Sequence, residues 1–464
     1  VSYFSFERKV TKRNTRLRIL PATAGKRKNG DGDVSPESQI KMFKFIFDKK
    51  NRGFMRLWWA QLISQFGDRI NQMALIGLVA ERAPGSALGL AKLLSFTIIP
   101  VFLIGPIAGV YVDRWDKRRT LLVCDIIRGL LVLTIPLLFM YRTSMVPIYI
   151  IVFLIFCFSR FYVPAKMSII PELVAKENLL VANSLMTTTG MLAFVIGCVL
   201  GGFMVDWFGA RGGFLGDAVT FFFSAALIMS IPRDLKFRLN KDAFFKTGQE
   251  MMQIERSFFL EIKEGIKYLA ANKGIRLVIN TLFILLAAAG AIYVVVIVFI
   301  QEAFQSVTKD LGILAVALGI GLFTGTVLYG KWGKRWSWQH TIFYCLIAGG
   351  VMMMIFATVV WYVTNIWVAL GLALALGIVV GPIFIATNTI VHLVADEKMR
   401  GKVFSALEIV IHFAFLVAML LCSKLSEYVP RVWILVGVGG VFSFVGIMGL
   451  WTVKKEGLLA VGSS

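Results

Sequence analysis

A helix that crosses the hydrocarbon core of a bilayer needs about 20 successive apolar residues, and this chain offers such stretches one after another. They run near 56–80, 88–112, 119–140, 146–166, 179–205 and 212–231. A polar interval from 232 to about 272 follows, and then stretches near 275–301, 311–330, 339–360, 366–393, 402–425 and 431–452. Only 16% of residues are charged and 58% are apolar, whereas about a quarter are charged in an ordinary soluble domain. Lipid is therefore the expected solvent. The pattern predicts an all-α membrane protein with twelve transmembrane helices in two six-helix bundles, 56–231 and 275–452. Residues 1–55 form a basic N-terminal segment, 232–274 a linker, and 453–464 a tail.

The net charge of +22 would point to nucleic acid in a soluble protein. Here the placement of the charge points elsewhere. Of the 49 Lys and Arg, 39 fall on one side of the predicted spans, counting Arg56 at the mouth of the first, and six on the other. Arg69, Lys92, Arg128 and Arg160 lie within spans. Basic loops stay on the cytoplasmic side, so both termini are expected there, in a bacterial inner (cytoplasmic) membrane. Anionic lipids, not nucleic acids, are the expected partners of these charges.

Residues 1–41 are polar, basic and without apolar period, and are expected to be disordered, with Met42 as a candidate start of translation. In the linker, 261–269 has the apolar spacing of an amphipathic surface helix. Cys124, Cys157, Cys198, Cys345 and Cys422 lie in or beside separate apolar stretches. That spacing fits small packing residues, not a disulfide framework or a metal site.

Two matched halves around a midplane site are typical of secondary transporters. A faint internal echo agrees: Arg114-Trp115-Asp116-Lys117-Arg118 after span 2 and Lys331-Trp332-Gly333-Lys334-Arg335 after span 8. Ionisable groups inside a span are costly and usually face a cavity or a partner. Asp68, twelve residues past Arg56, sits about 18 Å along its helix, within reach of a central cavity. It is either a proton or cation site, or a structural partner of Arg69 or Arg128. Arg128 and Arg160 are candidate neutralisers of acids such as Asp125 or Asp68. Glu408 and His412, one turn apart on span 11, are either a proton relay or a structural pair. Asp217 reads as a helix-start cap. Gly197, Gly201 and Gly202 are spaced for close helix packing. Gly105-Pro106 and Gly381-Pro382 are candidate bending points.

Gly109-x-x-x-Asp113-Arg114-x-x-x-Arg118-Arg119 resembles the loop 2–3 signature of the major facilitator superfamily, with Asp116 where the family usually has a glycine. Gln61-x-x-Ser64-x-x-Gly67-Asp68, Pro164-Ala165-Lys166, Ile170-Pro171-Glu172-Leu173-Val174 and Gly216-Asp217-Ala218-x-x-Phe221 are similar to its bacterial drug:proton antiporter branch, which includes macrolide and siderophore exporters. So are Ala182-Asn183-Ser184-Leu185, Glu264-Gly265-x-x-Tyr268-Leu269 and Arg400-Gly401-Lys402-Val403-Phe404. The antiporter signature of span 5 lacks its proline here, reading Gly197-Cys198-Val199-Leu200-Gly201-Gly202, and the span 4 Arg-x-x-Gln-Gly motif is absent. Lysophospholipid flippases of the superfamily resemble the same stretches.

The resemblance implies a monomer that rocks two bundles about a central site. Gly109, Asp113, Arg114, Arg118 and Arg119 would form a conformational latch, and protons flowing inward would drive efflux of an amphipathic or cationic small organic substrate. The alternatives are lysophospholipid flipping and a non-transporting receptor or scaffold. No phosphate loop is present to bind ATP, and no enzyme activity, metal or cofactor is expected; the energy source is the proton gradient.

Overall fold

The computed structural model describes residues 45, 48–140, 144–232, 273–332, 338–394 and 400–455. Residues 1–41 and the 261–269 segment lie outside this set. Twelve α-helices are present among the described residues. In chain order they are α1 (Arg52–Arg82), α2 (Ala87–Leu103), α3 (Gly105–Arg114), α4 (Lys117–Met140), α5 (Met145–Leu173) and α6 (Leu179–Met229). They continue with α7 (Lys273–Phe304), α8 (Lys309–Trp332), α9 (Trp338–Val363), α10 (Ile366–Val394), α11 (Arg400–Leu425) and α12 (Arg431–Lys455). Eight helical segments within them are long and apolar enough to cross a membrane.

The helices do not map one to one onto the expected spans. Span 2 is broken at Ile104, between α2 and α3, where Pro106 cannot supply the helical N–H. The second proline, Pro382, sits inside an uninterrupted α10. Spans 5 and 6 carry no separating loop: α6 runs through both and is interrupted only at Gly209, whose φ of 67° belongs to the left-handed region. The chain doubles back there, because Val205 packs on Gly213 and Met204 on Gly216.

The order of neighbours repeats between the halves. In the first, α1 packs on α6, α2 on α5, and α4 on the second segment of α6. In the second, α7 packs on α11, α8 on α10, and α9 on α12. Lipid gives helices no hydrophobic reason to associate, so close backbone approach through small residues does the work. Between α8 and α10 the seam is Gly321 and Gly325 against Gly377 and Gly381; a β-carbon on Gly381 would lie 2.6 Å from the Leu322 carbonyl oxygen. Gly350 and Gly439 face each other between α9 and α12.

Facing outward are large apolar side chains such as Trp207, Phe323, Trp367, Phe444 and Ile447. An apolar exterior on this scale is solvated by lipid, not water. Cys124, Cys157 and Cys198 are buried and all five cysteines are free thiols, in keeping with packing roles.

Candidate functional site

Between the halves lies a cavity of about 710 Å³. Its walls differ. α1, α4 and α5 contribute Asp68, Arg69, Arg128, Arg160, Lys166 and several amide and hydroxyl side chains; α7 and α11 contribute Leu286, Tyr293, Ile411, His412 and Phe415. One wall is thus charged and the other apolar to aromatic.

The charged wall is organised around Arg128, which is 2% exposed. One turn earlier on α4, the fully buried Asp125 forms an ion pair with it. The i, i+3 spacing puts both on one helix face. Ser224 on α6 donates a hydrogen bond to the other Asp125 oxygen at 2.6 Å. The guanidinium lies between two rings, 4.4 Å from the centroid of Tyr162 and 4.3 Å from that of Phe221, where its charge meets the negative ring faces. On the cavity side, Asp68 approaches to 3.9 Å. Asp68 therefore shares a guanidinium already held by a second carboxylate, and its own side chain remains 40% exposed.

A third carboxylate completes the group. Asp217 is fully buried and lies two turns past Gly209, well inside the second segment of α6. The cap reading of Asp217 is therefore corrected, because helix-start N–H groups are out of its reach. What brings it to the site is Gly67: a β-carbon there would lie 2.5 Å from Asp217 Oδ1 and collide with Thr220. Thr220 donates to the Asp217 carbonyl oxygen at 2.7 Å with Oδ1 3.4 Å from its hydroxyl, and Oδ2 has no hydrogen-bond partner among the described residues. Its signals in the sequence are an acid inside an apolar stretch and the family-like Gly216-Asp217-Ala218 run.

Arg69 points the other way along the cavity. Its guanidinium donates to Gln72 Oε1 at 2.9 Å, and Gln72 Nε2 donates to the Tyr293 hydroxyl at 2.7 Å. This chain runs from α1 to α7, from one half to the other. Gly197 and Gly201 lie where α6 meets α1: β-carbons would stand 2.8 Å from Arg69 Cβ and 3.0 Å from Ile70 Cα. Gly202 instead meets the second half, where Thr308 donates to its carbonyl oxygen at 3.0 Å.

Arg160 and His412 both reach the cavity, and His412 sits edge-on to Phe102 with centroids 6.4 Å apart. The Glu408 side chain lies outside the described residues. In the loop 2–3 motif, Arg118 donates to the carbonyl oxygens of Ile228, at 3.1 Å, and Met229. It therefore ties α4 to the end of α6 within its own half. Arg119 pairs with Asp116 at 3.7 Å. Asp113 and Arg114 are exposed, a β-carbon on Gly109 would meet nothing within 4 Å, and no ion pair of Asp113 occurs among the described residues.

Contacts between the halves gather toward the opposite end. Besides Gln72–Tyr293 and Gly202–Thr308, Lys309 lies 5.5 Å over the Phe203 ring, and Arg431, paired with Glu302, donates to the Gly85 carbonyl oxygen. Arg431→Ala is expected to loosen this end. A thiol-reactive probe on Cys198 should label at least threefold faster in that variant, and an unchanged rate would assign the closure to the other contacts.

A family model described as Major Facilitator Superfamily matches residues 57–419. An uncharacterized MFS-type transporter, YkuC, of Bacillus subtilis (strain 168) is 28% identical over 362 residues, covering 76% of this chain and 81% of its own length. Macrolide efflux protein A of Streptococcus pyogenes is 26% identical over 316 residues, or 65% and 70% of the two chains. Among solved structures, a bacterial homologue of the iron transporter ferroportin in an inward-facing state has a TM-score of 0.65 at 15% identity, covering 86% of this chain and 98% of that one. Members of this family are transporters, not enzymes, and the chain, a multi-pass membrane protein, belongs to the major facilitator superfamily.

Proposed function

We propose that this secondary transporter exports amphipathic small organic compounds in exchange for protons by alternating access. The observation that carries the reading is the position of Asp68. It faces the cavity, shares Arg128 with Asp125, and adjoins Arg69, which reaches the second half through Gln72 and Tyr293. A proton on Asp68 would release α1 from Arg128 on α4, next to the Arg69–Gln72–Tyr293 chain that links α1 to α7. A ligand or proton moves such an equilibrium only through its different affinity for the two states, and a pair that forms in one state alone supplies that difference. Similarity to macrolide efflux protein A supports the outward direction. With the basic loops placed in the cytoplasm, the end closed by Arg431 is the outer one and the state is inward-facing. Asp113, Arg114 and Arg118 would then complete their latch only after the bundles rock.

The cavity wall favours some substrates over others. With Arg128 paired to Asp125, three further basic side chains, Arg69, Arg160 and Lys166, line the cavity with one carboxylate, Asp68. This balance argues against a simple cation and for a substrate with an anionic group. Lysophospholipid movement is the second reading, supported by an apolar cavity in the second half.

Reconstitution in liposomes with an imposed pH gradient tests the proposal. Gradient-driven transport should fall at least tenfold in Asp68→Asn, while gradient-independent exchange of substrate persists. Full proton-driven transport by that variant would remove Asp68 from the mechanism. Lysophospholipid movement that ignores the gradient would favour the second reading.

A further inference from the structure

The second half holds another cavity, of about 360 Å³, lined by α7, α8, α9, α10 and α12. Its lining is apolar throughout: Ala289, Ile292, Leu322, Met353, Val380 and Phe442 are representative. Interiors normally leave few voids larger than a water molecule, and this one has room for about twelve water-sized groups at about 30 Å³ each. A cavity without polar partners does not hold water; it stays dry or takes an apolar guest. Leu286 lines both this cavity and the central one. The apolar chamber is therefore the next-door neighbour of the basic wall, with a single side chain common to the two linings.

From this juxtaposition we infer that the transported molecule is a single-chain amphiphile with an anionic head. The head sits among Arg69, Arg160 and Lys166 in the central cavity, and the chain passes Leu286 into the apolar cavity of the second half. The inference rests on the transport reading and names its substrate class. Charge selects the head, because burying an anion demands cationic partners, and only the first half supplies them. Volume selects the tail: a two-chain lipid group exceeds about twelve water-sized units, whereas one medium-length alkyl chain fits. A lysolipid and a fatty-acid-like or alkyl-phosphate compound share this chemistry.

Binding and transport are read separately. Purified protein is titrated with dodecyl phosphate, butyl phosphate, dodecyltrimethylammonium and an anionic lysophospholipid, following intrinsic tryptophan fluorescence, and the same compounds are then offered to proteoliposomes. Dodecyl phosphate or the lysolipid should bind at least tenfold more tightly than butyl phosphate or the cationic analogue. The filling variants Ala289→Leu and Cys345→Leu should lose that chain-length preference, while butyl phosphate binds as in wild type. The lysolipid arm against the dodecyl phosphate arm tells which source of the head is preferred. Equal affinity for long and short chains in the wild-type protein would overturn the inference, and so would preference for the cation. A two-chain phospholipid retained by the purified protein in native mass spectrometry and not displaced by dodecyl phosphate would also overturn it. Binding with the predicted preference but no transport would instead count against the transport reading and leave the ligand class standing.

Discussion

Arg128→Leu is expected to abolish transport and to destabilise the protein more than any other single change at the site. The substitution strands Asp125 in the core with Ser224 as its remaining hydrogen-bond partner among the described residues, and removing one member of a buried ion pair costs about 3–5 kcal/mol because the remaining charge is left uncompensated. Asp68 and Asp217 lose the same counter-charge. The double variant Arg128→Leu with Asp125→Leu should recover most of the stability, since two apolar side chains of similar size replace the pair without an orphan. It should not recover transport, because Asp68 would still lack its partner. Thermal unfolding in detergent gives the first comparison and proteoliposome flux the second. If the double variant melted as early as the single one, the core around Tyr162 and Phe221 would have to depend on the guanidinium itself, through its ring contacts.

The second large effect is predicted far from any charge. Gly377→Val should prevent α8 and α10 from seating, because its β-carbon would collide with the Leu318 carbonyl oxygen and lie 2.7 Å from the Leu322 amide nitrogen. Backbone cannot rotate aside as a side chain can, and overpacking a well-fitted interface costs about 1–3 kcal/mol even where side chains absorb it. The expected result is loss of folded protein on expression, or a melting temperature lowered by several degrees, with Gly381→Val behaving alike. Gly371→Ala, on the same helix with nothing within 4 Å of the added carbon, should be neutral. An equal loss in Gly371→Ala would mean that glycine acts through helix flexibility, not close approach.

The closure at one end of the molecule bears on both results. Arg431, Glu302 and the Gly85 carbonyl form one junction between the halves, Thr308 and Gly202 a second. Variants that weaken the charged wall should still close at this end, because its contacts are independent of Arg128. Labelling of Cys198 therefore separates a folded but inactive protein from an unfolded one.

Much of this was legible in one dimension. Hydropathy marks the membrane-spanning stretches because each must satisfy its own backbone hydrogen bonds inside lipid, and that requirement is local to a segment. The i, i+3 spacing of Asp125 and Arg128 places them on one helix face without reference to any other element, and the same holds for the packing glycines Gly197 and Gly201 on α6. Asp217 was not legible. Its neighbour Gly67 is 150 residues away in sequence, and only the rotation of α6 against α1 brings them into contact. The same is true of the Arg69–Gln72–Tyr293 chain, of the end at which the halves meet, and of the apolar cavity beside the basic wall. These depend on which face each helix turns inward. That choice is set by backbone approach between helices distant in the chain, and a string of apolar residues of similar hydropathy carries almost no record of it.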